Sequence, residues 1–296
     1  METVERTIRL LEPYLDSAAS VENIDGILTS PVVNWTEGLK ANAYYFSHPK
    51  WVRNWFTHVH RYPELVERWR VATGSWDGKI IVDIGCGPGN VYASVGGSPK
   101  LLIGVDVARG SLKIAESIGY VPMLADVQHL PLRSGFADIV TVCSTLHHCD
   151  DMSGVLAEAA RLVCPGGMLV TDHDPQRSAL DFKGLGLWLW NARIPLYRWM
   201  RRGGHSVEDD EQKWALATEI HHRPGDGVTA KLFEDVLQSF EVKLYPHNNL
   251  VGADVFTGQR GRAFLMFRCA QRLSGINPDL PSSAMTMMCV ARRLSG

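Results

Sequence analysis

Apolar residues along this chain fall into two periods. Short, mostly apolar runs occupy 80–84, 101–105, 121–125, 139–143, 168–171, 242–245 and 285–290. Runs of this length without alternation predict strands buried on both faces of a sheet. Between them the spacing changes to that of a helix. Residues 111–118 read as one, with Gly119 as its stop. Residues 152–163 carry Val155, Leu156, Ala159 and Leu162 on one side, and 228–240 carry Leu232, Val236 and Leu237. Strands alternating with helices predict an α/β, Rossmann-like, mostly parallel sheet.

The regions outside this alternation differ from it. Residues 2–15 have helical spacing, and 35–75 hold a dense set of aromatics, among them Trp51, Trp55 and Phe56 on one helical face. Residues 1–78 therefore read as an N-terminal helical cap region, and 79–296 as the core. Two stretches interrupt that core. Insertion 176–217 holds Trp188, Trp190, Tyr197 and Trp199, then Arg201 and Arg202; Pro195 should kink or split any helix there. Insertion 248–283 contains a basic amphipathic helix over 260–273. The aromatic–arginine stretch 185–202 suits a lid over a substrate, plain packing, or peripheral contact with a membrane.

Chemistry enters at the end of the first core strand. The strand 80–84 runs into Gly85-Cys86-Gly87-Pro88-Gly89, and Asn90 then opens a short helix. Glycines let a backbone turn sharply and let a ligand approach it, and the free N–H groups of a helix start face an anion. A dinucleotide fingerprint needs its third glycine at the sixth position, where this chain has Asn90. Asp83 precedes the first glycine by two residues, and Asp106 closes the second strand 21 residues after Gly85. A carboxylate at that place accepts hydrogen bonds from vicinal ribose hydroxyls. Asp126 ends the third strand, where a plain dinucleotide fold requires no acid; it also suits a cap over Val127-Gln128-His129.

With acid-x-Gly-x-Gly-x-Gly at 83–89, the chain resembles the class I S-adenosylmethionine (SAM)-dependent methyltransferases, in particular the ubiquinone/menaquinone C-methyltransferase-like group of small-molecule enzymes. The connector 126–138 and the turn Cys164-Pro165-Gly166-Gly167 resemble that family's pattern. Leu132 stands where phenylalanine is common. The resemblance implies a seven-stranded sheet whose last strand runs antiparallel between strands five and six. It implies SAM as cofactor, held by Asp83, Gly85, Cys86, Gly87, Gly89, Asp106, Val107, Asp126, Val127 and Ser144. It implies N-terminal helices over the cofactor, with Tyr44 and Tyr45 as substrate-pocket candidates beside Trp188, His221 and His222. No Asn/Asp-Pro-Pro-aromatic tetrad follows strand four, which disfavours nucleic-acid or protein amides as acceptors.

Transfer from a sulfonium is an in-line displacement that needs alignment above all. A base is needed where the acceptor carries a proton, and His147 or His148, after strand four, is the natural one. Such a base predicts a pH limb at roughly 6–7. Asp150, Asp151, Asp172, His173 and Asp174 sit at the same strand ends, but nothing fixes a ligand spacing, so no metal is assigned. The net charge of −2 gives no footprint for nucleic acid. Six cysteines without a Cys-x-x-Cys spacing read as free thiols in a reducing compartment. The first residues lack a signal-peptide pattern and no run spans a bilayer, so a cytoplasmic protein is expected.

The predicted function is methyl transfer from SAM to a small, partly apolar molecule, a natural product, phenol or quinone. The alternatives are a SAM-fold protein without methyl transfer, such as a binding subunit or cyclase, and an NAD-dependent oxidoreductase.

Overall fold

The computed structural model describes residues 9–58, 61–200 and 208–295. Residues 2–8 of the expected first helix, and Arg201 and Arg202, lie outside the described residues. All strands among the described residues join one sheet: β1 (Glu22–Ile24), β2 (Ile27–Thr29), β3 (Ile80–Ile84), β4 (Leu101–Asp106), β5 (Val121–Leu124), β6 (Ala137–Cys143), β7 (Val163–Pro175), β8 (Phe240–His247) and β9 (Thr286–Arg293). Their order is β1-β2-β5-β4-β3-β6-β7-β9-β8. From β5 to β7 the pairing is parallel, and β9 runs antiparallel to both β7 and β8. The antiparallel strand inserted next to the edge is the arrangement the family resemblance implies.

Two strands were not expected. β1 and β2 form a hairpin whose turn is Asp25-Gly26, with φ of 54° and 85°. β2 extends the sheet by pairing parallel with β5. Asp-Gly between apolar residues favours a turn with two positive φ values. The N-terminal region thus contributes strands as well as helices.

The mostly apolar runs supply both faces of the sheet. Val82, Ile103, Val105, Val140 and Val142 point to one core, where the helices Met152–Leu162 and Ala230–Val236 pack. Ile81, Leu102 and Ile139 point to the other, covered by Pro63–Thr73, Asn90–Val95 and Arg109–Ser117. The expected turn at 164–167 is a bulge within β7: Val163 pairs with Ala137, and pairing resumes at Met168 with Ile139. Gly166 in it has φ 77°.

The insertions pack on one another. Helix Gly184–Met200 runs continuously through Pro195, which therefore does not split it. A proline removes one N–H from the ladder; the packing of Trp190 retains the element despite that loss. Trp190 sits 4.9 Å from Phe182 and 5.5 Å from Phe267 of helix Leu265–Leu273. That second helix is shorter than the expected 260–273. No helix among the described residues is long and apolar enough to cross a membrane. All six cysteines are free, and Cys143 and Cys289 are buried.

A buried polar network ties the layers together. Arg68, Asp172 and His247 are all fully buried. Arg68 donates from Nε and Nη2 to Asp172 Oδ2 at 3.1 and 3.0 Å, and Trp69 Nε1 donates to the same oxygen at 3.1 Å. His247 Nε2 lies 2.7 Å from Asp172 Oδ1. Arg68 also donates to the carbonyls of Asn249 and Val251. Burial alone would raise the Asp172 carboxyl; the Arg68 guanidinium, with His173 and His247, holds it well below the usual carboxylate range.

Candidate functional site

The strand order reverses at β3: the chain crosses first to β4 and β5, then back to β6. In an open parallel sheet a crevice forms at the carboxyl ends beside that switch. Here it is a cleft of about 820 Å³ of open space. Its walls come from the glycine loop, the ends of β4 and β6, the segment after β5, and one N-terminal helix with its neighbour. The lining includes Asp83, Gly85, Cys86, Gly87, Asp106, Val107, Val127, Ser144 and His148.

The loop takes its shape from glycine. Gly85 has φ +63°, and a Cβ there would lie 2.2 Å from Thr145 Cγ2. Gly87 has φ +52°, but a Cβ there would meet nothing within 4 Å, because it would point into the cleft. The cradle that a side chain would fill fits a ligand lying against the backbone. Gly89, at φ +89°, is close instead to Ile118 and Tyr120; it faces the packing below and does not line the cleft.

The three acids behave differently. Asp83 is 1% exposed and is held from below: Tyr120 Oη donates to Oδ2 and Thr141 Oγ1 to Oδ1, both at 2.7 Å. Burial pushes its carboxyl up to about 6, against the pull of those two donors. Asp106 accepts from the backbone N–H of Gly87 at Oδ2 and of Ala108 at Oδ1, both at 2.8 Å. Each oxygen keeps a further lone pair for a donor in the cleft. Burial raises Asp106 too, and these amides oppose the rise. Asp126 is turned away from the lining: Oδ1 accepts from Gln128 N at 3.0 Å and Oδ2 lies 3.7 Å from His129. Its observed bond is the local cap, while its neighbours Ala125 and Val127 line the cleft.

The two histidines share one 3-10 turn after β6. His148 lines the cleft, and its Nδ1 is 2.7 Å from the Thr218 carbonyl oxygen. A carbonyl only accepts, so Nδ1 carries the proton and Nε2 holds the lone pair. Burial first, then the adjacent His147, push this ring down to about 4, so a titration expected at 6–7 does not belong to it. His147 is buried and is not part of the lining; its Nδ1 lies 2.8 Å from Asp174 Oδ1. Although burial opposes it, the Asp174 contact and the nearby Glu219 raise His147 above the ordinary imidazole value. Ser144, also in the lining, has φ 56°, a left-handed conformation unusual for serine.

The N-terminal cover is different from the expected one. Leu39, Asn42 and Phe46 line the cleft, together with Trp55. The first three are spaced i, i+3, i+7, which places them on one helical face. Asn42 Nδ2 donates to the His148 carbonyl at 3.0 Å, pinning helix Glu37–Tyr45 to the histidine turn. Tyr44 instead packs 4.4 Å from Trp214, and Tyr45 stacks 5.2 Å from Trp51. Burial and the charges of Glu211 and Glu219 push Tyr45 up to about 12. Trp188 is 69% exposed and lies outside the lining. His221 and His222 sit beside His147: the His221 N–H donates to the His147 carbonyl at 2.9 Å, and the His222 ring is 5.6 Å from that of His147. The residues considered as metal ligands do not converge as a set. Asp172 is engaged by Arg68, and Asp150 accepts from Thr36 Oγ1 at 2.6 Å.

Comparison with known proteins places this geometry. Residues 82–171 match the family model described as a methyltransferase domain. The chain is 31% identical over 120 residues to the ubiquinone biosynthesis O-methyltransferase of Thiobacillus denitrificans, covering 38% of this chain and 51% of that one. It is 33% identical over 163 residues to the ubiquinone/menaquinone biosynthesis C-methyltransferase of Acidiphilium cryptum, covering 49% and 60%. The chain thus spans about half the length of the curated relatives it matches. Among solved structures, it is similar to a chain of the complex between the Haloferax volcanii Trm112 methyltransferase activator and a methyltransferase. That match has a TM-score of 0.51 at 12% identity and covers 86% of this chain and 98% of that one, a likeness of fold. Over residues 82–171 the chain is thus similar to a methyltransferase domain, and the ubiquinone-biosynthesis methyltransferases it resembles share that stretch.

Proposed function

We propose that the protein transfers a methyl group from SAM to a small, partly apolar molecule bearing an ionisable hydroxyl, of phenol or quinol type. The observation that carries this reading is that the open Gly87 cradle, the Asp106 carboxylate and the His148 ring border one cleft. The cofactor supplies an activated methyl on a positively charged sulfur. Asp106 accepts from the ribose hydroxyls, and the Gly85–Gly87 backbone receives the amino-acid end. Val127 offers its N–H to the base, with Asp126 beside it. Leu39, Phe46 and Trp55 exclude water over the acceptor, and His148 Nε2 takes the hydroxyl proton. A neutral, oriented imidazole suits that task, and alignment supplies the rest of the rate.

Calorimetry with SAM and S-adenosylhomocysteine tests the cofactor assignment. Asp106→Ala should weaken binding by about 1.5–3 kcal/mol, the range for hydrogen bonds to a charged group. Binding of NAD without SAM would sink the reading, and an unchanged affinity in the variant would put the ribose acid elsewhere. Labelled SAM with a panel of quinols, phenols and polyketides then identifies the acceptor. Leu185 and Trp188, 68% and 69% exposed on the inserted helix, support a peripheral membrane contact that would bring an apolar acceptor close. Co-sedimentation with lipid vesicles, lost on Trp188→Ser, is the expected result.

A further inference from the structure

We infer that His147, Glu219 and His222 bind one divalent transition-metal ion behind the His148 wall of the cleft, with Asp174 orienting His147. The ligand atoms these three residues offer lie within 4.8 Å of one another. Glu219 Oε2 accepts a hydrogen bond from His222 Nδ1 at 2.7 Å, whose proton an ion would displace, and lies 3.6 Å from His147 Nε2. Two ligands each about 2.0–2.1 Å from a tetrahedral metal stand about 3.3 Å apart, so small side-chain movements close the site.

The chemistry of His147 is the second observation. The Asp174 carboxylate accepts from both the backbone N–H and Nδ1 of His147, at 3.0 and 2.8 Å. Nδ1 therefore carries the ring proton, and the lone pair is on Nε2. His147 is only 4% exposed. Nε2 makes no hydrogen bond among the described residues and faces a carboxylate oxygen. With the ring neutral, Nε2 and the carboxylate oxygen are two acceptors aimed at one position, which suits a shared cation. A buried carboxylate behind a histidine whose other nitrogen is free is the outer-shell arrangement of a metal ligand.

The backbone holds the ligands in place in advance. The His148 ring donates to the carbonyl of Thr218, next to Glu219, and His221 N–H donates to the carbonyl of His147. Two imidazoles and one carboxylate favour zinc, manganese or iron over magnesium or calcium. Three protein ligands leave a position for an exogenous oxygen. The His147 and His148 rings are 4.0 Å apart, and His148 lines the cleft, so the proposed site lies one ring behind the cleft wall. The ion's task in the reaction rests on the proposed function; its binding does not.

The test uses the full chain, stripped with a chelator and titrated with zinc against a chromophoric competitor. One equivalent should bind. His222→Ala, at a half-exposed position that leaves the core intact, and Glu219→Gln should each weaken binding by about 100-fold or more. Asp174→Asn should weaken it by about 10–100-fold. SAM calorimetry on the same samples separates the two readings. Zinc binding without SAM binding overturns the proposed function alone. SAM binding without one equivalent of zinc, or zinc held as tightly by His222→Ala and Glu219→Gln as by the wild type, overturns the metal site and leaves a proton as the bridging cation.

Discussion

Asp172→Ala should lower the free energy of unfolding by about 3–5 kcal/mol, the usual cost of removing one partner from a buried ion pair. The variant leaves the Arg68 guanidinium fully buried, with Tyr62 and the carbonyls of Asn249 and Val251 as its remaining partners and no counter-charge. It also strips the carboxylate partner from Trp69 Nε1 and leaves His247 Nε2 with Thr286 Oγ1 at 3.4 Å. Denaturant unfolding monitored by far-UV circular dichroism reads the loss directly. Arg68→Met in the same background should restore part of it, because an apolar side chain needs no counter-charge. The acid side follows from the sign of the shift. A carboxyl held below its unfolded value contributes fully above about pH 4 and progressively less as the pH falls towards its folded value. A loss under about 1 kcal/mol would mean that the network fills space without holding the layers.

The sheet was legible because the strands that build it are buried on both faces. The runs at 80–84 and 101–106 announce themselves as apolar without reference to anything distant. The glycine loop was legible because positive φ leaves few residue choices, and Asp106 because it ends a strand beside that loop. The β1–β2 hairpin carried its own signal in Asp25-Gly26, lost beside the aromatic density that follows. The residues that escaped are those defined by distant partners. Arg68 reads as one more polar helix position until Asp172, 104 residues on, is placed against it. Asn42 is similarly silent until its amide meets the His148 carbonyl 106 residues away. Glu219 lies in a segment with no periodic pattern. It gains meaning only when the chain returns it to the histidine turn. The N-terminal helix does lie over the cleft, but with a different face from the one residue type suggests. Tyr44 and Tyr45 draw attention by residue type, whereas helical spacing selects Leu39, Asn42 and Phe46.

His148→Ala should retain SAM affinity and lose turnover by about 10²–10⁴-fold, the contribution of a positioned general base. Its Nδ1 is committed to the Thr218 carbonyl, so Nε2 is the only nitrogen able to take a proton from an acceptor. Alanine removes both the base and that tether, which confounds chemistry with position. His148→Asn separates them, because its amide N–H still reaches towards the carbonyl where Nδ1 was, yet it has no basic nitrogen. Both variants should be slow if proton removal limits the rate, and only alanine should be slow if the ring serves as a spacer. With a phenolic acceptor the deficit should shrink as the pH approaches the phenol's own value, about 10, because solvent then ionises it. A quenched assay with labelled SAM across that range makes the measurement. Wild-type turnover in both variants would leave alignment by Phe46, Trp55 and the cleft walls as the sole source of rate. Loss of SAM binding in both would make the His148 ring part of the cofactor pocket and remove its catalytic role.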